Sequence, residues 1–187
     1  MLWLVAVEWL SRLILLILVI LSVWSIAIII ERRRFFNALE LPGDELKKLL
    51  REKKLGTATH FFSDLMSELS SVKDIHRMEK IFDSYVSEKR RELEKGLPVL
   101  GTLGSTTPFI GLLGTILGII VSFGELSKGA GSTNSVMFSL AEALILTAVG
   151  LVVAIPAVIG FNYFNRRAKL VLSQAENLKD LFIAYKE

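Results

Sequence analysis

The chain has 187 residues, 52% of them hydrophobic, and its mean hydropathy of +0.52 exceeds that of an ordinary water-soluble domain. The absence of cysteine excludes disulfide bonds and thiolate metal sites. The two histidines lie in a charged region and are too few to form a zinc site without carboxylates, so no metal site is expected. The net charge is only +3, and its distribution along the chain is more informative than its sum; no nucleic-acid partner is expected.

The apolar residues are concentrated in three blocks. Residues 13–30 and 96–124 contain no charged residue, and residues 129–165 contain only Glu142. The first block lacks the basic flank and the cleavage site of a signal peptide, so it is expected to remain in the protein. A helical crossing of a bilayer needs about 20 apolar residues. The blocks therefore predict an all-α integral membrane protein with three transmembrane helices, at about 10–30, 99–125 and 136–164.

Basic residues flank these blocks unevenly. Arginines at 32–34 follow the first block, and Arg166, Arg167 and Lys169 follow the third, whereas the linker at 126–135 contains only Lys128. Flanking lysine and arginine prefer the cytoplasm, which predicts a periplasmic N-terminus and a cytoplasmic C-terminus. The predicted segments are a first transmembrane helix (1–31), a cytoplasmic helical segment (32–97), two transmembrane helices with a short periplasmic loop (98–165) and a cytoplasmic helical tail (166–187).

The segment after the first block has helical periodicity. Residues 45–54 predict a short charged helix, and apolar residues recur at three- and four-residue spacing in 57–69 and 75–86. This spacing predicts a cytoplasmic helical bundle. The last of these helices either runs on into the second transmembrane helix or breaks at Gly96 and Pro98, where a break is expected if there is one.

Small residues recur along one side of the second and third transmembrane helices. In lipid, such residues allow two helix backbones to approach closely. Packing alone would explain this pattern. The residues predicted to serve it are Gly111, Gly114 and Gly118 in the second helix, and Ala143, Gly150 and Ala154 in the third.

Three polar residues within these helices are candidates for an ion pathway. Glu142 lies about 9 Å inside the third helix, and an intramembrane carboxylate is a functional candidate, although it could also reach toward the membrane surface. Thr115 and Thr147 both lie about 15 Å deep, near the middle of the bilayer. Their hydroxyl groups can line a water-filled path or bond to carbonyl groups of their own helices.

Two prolines lie inside the same helices. Pro108 and Pro156 are each predicted to bend the helix, because proline lacks the backbone donor that a regular helix uses. Pro156 can form either a fixed kink or a moving hinge.

Several features expected of other protein classes are missing from the sequence. It has no second deep intramembrane carboxylate, no nucleotide-binding motif and no catalytic triad motif. The chain is therefore not expected to be an enzyme. If a proton is carried at mid-depth, its acceptor is expected to belong to another polypeptide.

Two stretches, 107–122 and 141–157, together resemble the MotA/TolQ/ExbB proton-channel family, and the resemblance covers about residues 98–166. It is closest to the ExbB and TolQ branch, because MotA-type subunits are expected to have four crossings. The resemblance implies a bacterial inner-membrane pentamer around a central pore, which holds two copies of a single-span ExbD- or TolR-like partner with an essential aspartate. Thr115 and Thr147 match pore-lining positions of the family, and Glu142 matches its glutamate in the third helix.

The function implied by this resemblance is that of a pore-forming subunit in a motor driven by the proton motive force. Such a motor energises a TonB- or TolA-like protein that acts on the outer membrane. The resemblance implies a proton as the coupling ion, with sodium still open, and no bound cofactor. The alternative is a structural scaffold subunit that conducts no ions. Packing of the small residues between helices surrounded by membrane lipids would also explain their spacing.

Overall fold

The computed structural model describes residues 2–39, 65, 68, 72, 74–127 and 133–184. Four long helices form almost all of this described part: α1 (Leu2–Ala38), α2 (Ile75–Glu94), α3 (Leu97–Ser127) and α4 (Thr133–Ala184). The helix predicted at 45–54 lies outside the described residues, and so does the stripe at 57–69 except for Leu65 and Glu68. α4 continues as a helix through the predicted start of the tail at residue 166.

Within the described ranges, three stretches are long and apolar enough to cross a membrane: Val5–Ala38, Ile75–Ser127 and Val136–Asn177. The apolar part of the second stretch is α3, because α2 is rich in charged residues. Large apolar side chains such as Phe109, Phe138 and Val152 are exposed on these helices, as expected where lipid replaces water. The prediction of an all-helical chain with three apolar helices is confirmed for the described residues.

One compact unit, unit 1, comprises Met1–Ile30 and Gly96–Asn162. Here α3 runs antiparallel to α1, since Gly96, just before α3, lies against Ile28, and Gly114 lies against Ile14. It also runs antiparallel to α4, since Gly104 lies against Val158 and Gly118 against Ala143. Ile14, Leu18 and Leu146 form a buried apolar cluster among the three helices. This arrangement places the polar residues of α3 beside those of α4.

The chain turns at Lys95 and Gly96, between α2 and α3. Gly96 has a φ of 76°, a left-handed conformation that strains any residue with a side chain. A Cβ atom there would also lie 3.1 Å from Cγ2 of Ile28. Pro98 lies in the first turn of α3, where its missing N–H donor has no helical partner to lose. The expected break is therefore present at these residues.

The second compact unit, unit 2, comprises Glu31–Lys95 and Tyr163–Glu187. Arg32 is 3% exposed, and its Nη1 donates hydrogen bonds to the carbonyl oxygens of Glu92 at 2.9 Å and Leu93 at 3.4 Å. It therefore satisfies carbonyl groups that the last turn of α2 leaves without helical partners. Phe36 stacks on Phe164 with ring centroids 5.6 Å apart, which joins α1 to α4 within this unit.

An ion pair joins α2 to the end of α4 in unit 2. Lys179 Nζ donates a 2.9 Å hydrogen bond to Asp83 Oδ1. This bond is the main cause of a raised pKa of Lys179, and burial partly opposes the rise. A raised lysine pKa stabilises the fold below the unfolded value of about 10.4, and the contribution is lost as the pH rises through the folded pKa.

We expect Asp83→Asn to lower the free energy of unfolding by only about 0.2–1 kcal/mol, because the carboxylate is largely exposed. The loss should be present at neutral pH and disappear at a pH well above the ordinary lysine pKa, where Lys179 is neutral in both proteins. Denaturant titrations of the full chain in detergent at the two pH values measure it. Asp180→Asn is the control and should have a smaller effect, since Asp180 contributes least to the raised pKa. A loss that persists at high pH would contradict the ion-pair explanation.

Candidate functional site

The two candidate threonines lie side by side where α3 and α4 cross. Thr147 Oγ1 donates to Thr115 Oγ1 over 3.3 Å, and Thr115 Oγ1 in turn donates to the carbonyl oxygen of Leu112 over 2.7 Å. Thr115 is 5% exposed, whereas Thr147 is half-buried. The structure thus brings together two hydroxyl groups that lie 32 residues apart in the sequence, in one short chain of hydrogen bonds.

The two bonds of this chain differ in strength. A distance of 2.7 Å is optimal for O–H···O, whereas 3.3 Å is longer than a good bond of this type. The hydroxyl of Thr147 is therefore held only weakly by its neighbour and can exchange that contact for water or for a group from another molecule. Neither hydroxyl ionises near neutral pH, so the pair can relay or solvate an ion but cannot store a proton.

Glycines make the close approach of α3 and α4 possible. A Cβ atom at Gly111 would lie 2.7 Å from the carbonyl oxygen of Leu146, and a Cβ atom at Gly150 would lie 2.7 Å from that of Thr107. Both distances are shorter than real Cβ contacts, and backbone atoms cannot yield as a flexible side chain can. Because the two backbones are this close, threonine side chains on facing sides of the helices can reach each other and form a hydrogen bond.

The contact continues along α3 at intervals of seven residues. We call it the glycine seam: Gly104 lies against Val158, Gly111 against Gly150, and Gly118 against Ala143. A Cβ atom at Gly118 would lie 2.5 Å from Cβ of Ala143, and one at Gly104 would collide with Val158. A seven-residue repeat is the spacing at which two helices stay in contact over several turns.

The remaining predicted packing residues lie near the seam. Gly114 faces side chains of Leu146 and Ile14, and Ala154 is buried on α4. Pro108 is half-buried and Pro156 is exposed, and α3 and α4 continue as helices through them.

Glu142 lies apart from the threonine pair. It precedes Thr147 by five residues, or about 7.5 Å along the helix axis, and its side chain is exposed in unit 1. It lines a cavity of about 460 Å³ at the end of unit 1 where α1 begins and α3 ends. The other charged residues that line this cavity are Glu8, Arg12 and Glu125.

Sequence reasoning did not anticipate two features of this site. Gly104 was not among the predicted packing residues, although its seven-residue spacing from Gly111 and Gly118 was a usable signal. The Glu8–Arg12 pair on α1 was also missed as a neighbour of Glu142. Its four-residue spacing predicts a pair on one helix face, but the spacing does not say which other helix that face meets.

Sequence comparisons relate the chain to known proteins. A model of the MotA/TolQ/ExbB proton channel family matches residues 53–177, which is about two thirds of the chain and extends further toward the N-terminus than the resemblance at 98–166. The Tol-Pal system protein TolQ of Haemophilus influenzae is 32% identical over 196 residues, which cover 91% of this chain and 86% of that protein.

Other relatives align over a shorter part. TolQ of Pseudomonas aeruginosa is 43% identical over 100 residues, covering 53% of this chain and 43% of that protein. The biopolymer transport protein ExbB of Xanthomonas campestris is 42% identical over 105 residues, covering 52% of this chain and 40% of that protein. These two alignments therefore span less than half of each relative. With the family match across two thirds of its length, the chain belongs to the MotA/TolQ/ExbB proton channel family.

Proposed function

We propose that this chain is the pore-forming subunit of an inner-membrane motor of the ExbB/TolQ type, driven by the proton motive force. The observation that carries the proposal is the Thr115–Thr147 hydroxyl contact between two closely packed apolar helices. Hydroxyl groups at mid-depth of a membrane helix pair can replace part of the hydration of an ion or a proton carrier.

The proposed assembly is a pentamer of this chain around two copies of a single-span ExbD- or TolR-like partner. A partner is required because the pathway residues of this chain are two non-ionising hydroxyls at depth and one carboxylate near the end of unit 1. A carrier that takes up and releases protons between them must come from elsewhere. The partner's aspartate supplies it, and the motor then energises a TonB- or TolA-like protein.

The proposed orientation follows the distribution of basic residues. Arginines at 32–34 and at 166–167 lie beyond the apolar parts of α1 and α4, and such residues prefer the cytoplasmic side. The cavity beside Glu142 then opens to the periplasm, where the proton concentration is higher in an energised cell. Protons enter there and pass the threonine pair on their way inward.

A structural scaffold is the second candidate function. It is favoured by the hydroxyl of Thr115, which donates to a carbonyl oxygen of its own helix, as it would in a helix that only packs. The glycine seam also suits packing without conduction. The two functions differ in whether protons cross the assembled complex.

Proton leak into lipid vesicles separates the two. The full chain and a single-span partner with its aspartate are reconstituted into vesicles, alone and together. An imposed membrane potential then drives protons into the vesicles, and a pH-sensitive dye inside them reports their entry. We expect a leak only when both are present, and its loss when the partner's aspartate becomes asparagine. Repeating the assay with a sodium-sensitive dye tests sodium as the coupling ion. Absence of any leak from the assembled pair would favour the scaffold.

In the same vesicles, Glu142→Ala should reduce the partner-dependent leak without abolishing it. Glu142 contributes negative charge that attracts cations to the cavity, but Glu8 and Glu125 remain there. Glu176→Ala, the same change at an exposed position later in α4, is the matched control and should leak like the unaltered chain. An unchanged leak in Glu142→Ala would remove this residue from the pathway.

A further inference from the structure

The cavity beside Glu142 has a mixed lining that packing does not require. It lies between α1, α3 and α4 of unit 1, and six of its lining residues are polar: Glu8, Ser11, Arg12, Glu125, Ser139 and Glu142. A space of about 460 Å³ with several polar groups in its lining is large enough to hold water. Among the described residues, no group of three or more His, Asp or Glu side chains is placed to hold a metal ion. The charges therefore act on mobile ions through the water rather than by chelation.

Arg12 is the one cationic residue that lines this cavity in the described part of the chain. Its Nη2 lies 2.8 Å from Glu8 Oε1, one helical turn earlier on α1. A guanidinium group stays protonated at all working pH values. Arg12 therefore offsets one of three carboxylates permanently, and the cavity retains an excess of negative charge from Glu125 and Glu142.

The Glu8–Arg12 pair contributes little to folding. The two side chains are 49% and 64% exposed, and an exposed pair at this spacing stabilises a helix by only about 0.3–0.5 kcal/mol. The contact of Arg12 with the ring of Trp9 is long, at 5.9 Å to the centroid. The pair can be altered without loss of the fold, and its main physical effect is on the electric potential of the cavity.

We propose that Arg12, through its pair with Glu8, sets the local concentration of cations in the cavity beside Glu142. Arg12 is thus a positioning residue for ion entry, acting through the field it imposes rather than by binding the ion. This role rests on the proposed function, in which ions enter through this cavity. Removing Arg12 makes the cavity more negative, removing Glu8 makes it less negative, and removing both returns it close to its original charge.

A thiol probe reads this potential directly, because the chain has no cysteine of its own. Ser11→Cys places the only thiol in the cavity lining. The full chain in lipid nanodiscs is treated with a cationic and an anionic methanethiosulfonate reagent of similar size, at 0.1 M salt. The ratio of the two rates reports the sign of the potential, and it cancels any change in the reactivity of the thiol itself.

We expect the cationic reagent to react faster. Arg12→Gln should raise the rate ratio roughly fivefold, since a unit charge a few ångströms away changes each rate about twofold to threefold in opposite directions. Glu8→Gln should lower the ratio by a similar factor, and the double variant should return close to the starting value. At 1 M salt the differences should vanish, because the screening length falls to about 3 Å.

The control is Thr102→Cys, an exposed position on α3 about 24 Å along the helix from Gly118. Its rate ratio should not respond to either charge change at 0.1 M salt, where the screening length is about 10 Å. A merely structural role for Arg12 would move the rates of both reagents together. It would not give shifts of opposite sign for Arg12→Gln and Glu8→Gln, or restoration in the double variant.

The proton leak in partner-containing vesicles then separates this inference from the proposed function. Leak at low salt should rise in Arg12→Gln and fall in Glu8→Gln. If the complex leaks protons but the thiol rate ratio is unchanged in Arg12→Gln, the inference is overturned and the proposed function stands. If the ratio follows the charges but no protein leaks with its partner, the control of cavity charge stands and the proposed function fails.

Discussion

Replacing Gly150 with valine should prevent α3 and α4 from packing, and the protein should fail to accumulate in its folded form. A Cβ atom at this position would lie 2.7 Å from the carbonyl oxygen of Thr107 and 3.2 Å from Cα of Gly111. Both atoms belong to the backbone of α3, so the helices must separate along the whole seam to make room. We expect a loss of more than about 4 kcal/mol in unfolding free energy, the range of severe core defects.

Accumulation in the membrane fraction and resistance to unfolding in detergent measure this loss. Ala148→Val is the matched control, because it adds two carbon atoms to an exposed position of the same helix. It should leave both measurements nearly unchanged. Wild-type resistance to unfolding in Gly150→Val would contradict the close approach of the two backbones at this point.

A compensating exchange tests the same seam at a second position. Gly118→Ala should destabilise the protein, since its Cβ atom would lie 2.5 Å from Cβ of Ala143. Adding Ala143→Gly removes that methyl group and should recover most of the lost stability. A tight 3.3 Å contact with Cα of residue 143 remains. Restoration by exchange distinguishes a steric contact between these two positions from a general intolerance of alanine.

The charge-free blocks were enough to predict the three apolar helices, because a run of about 20 apolar residues matches the length of a helix that crosses a bilayer. Their ends were not predictable in the same way. α1 continues past the arginines at 32–34 to Ala38, and α4 continues to Ala184. A charged sequence with helical periodicity can extend an apolar helix without a break, and the hydropathy pattern marks only where the apolar part stops.

Counting residues along two antiparallel helices predicted that Thr115 and Thr147 lie at the same level, because every residue adds the same rise of 1.5 Å, and their hydroxyl contact confirms it. The count did not predict which way either side chain turns, and that depends on the seven-residue register of the glycine seam. The sequence gives even less information about where α1 packs against the other two helices. Nothing in the spacing of Glu8 and Arg12 indicates that they share a cavity with Glu142, since that contact depends on how three helices pack together.

Thr147→Val and Thr115→Val should each reduce the partner-dependent proton leak by roughly tenfold to a hundredfold. Valine keeps the shape of threonine but leaves a passing ion or water without a hydroxyl partner, and an unmet polar contact costs about 1–3 kcal/mol. The two hydroxyls are joined by one hydrogen bond, so the double variant should lose less than the product of the single losses. The leak is measured in the reconstituted vesicles that contain the partner.

Serine variants and a remote threonine make this test specific. Thr147→Ser and Thr115→Ser keep the hydroxyl and should retain most of the leak. Thr106→Val makes the same chemical change at an exposed position of α3, where the hydroxyl donates to the carbonyl oxygen of Thr102, and it should leak normally. Because unfolding resistance should stay near wild type in every variant, a lost leak reports the pathway and not the fold. Normal leak in both valine variants would mean that ions cross the complex, if at all, without meeting this pair.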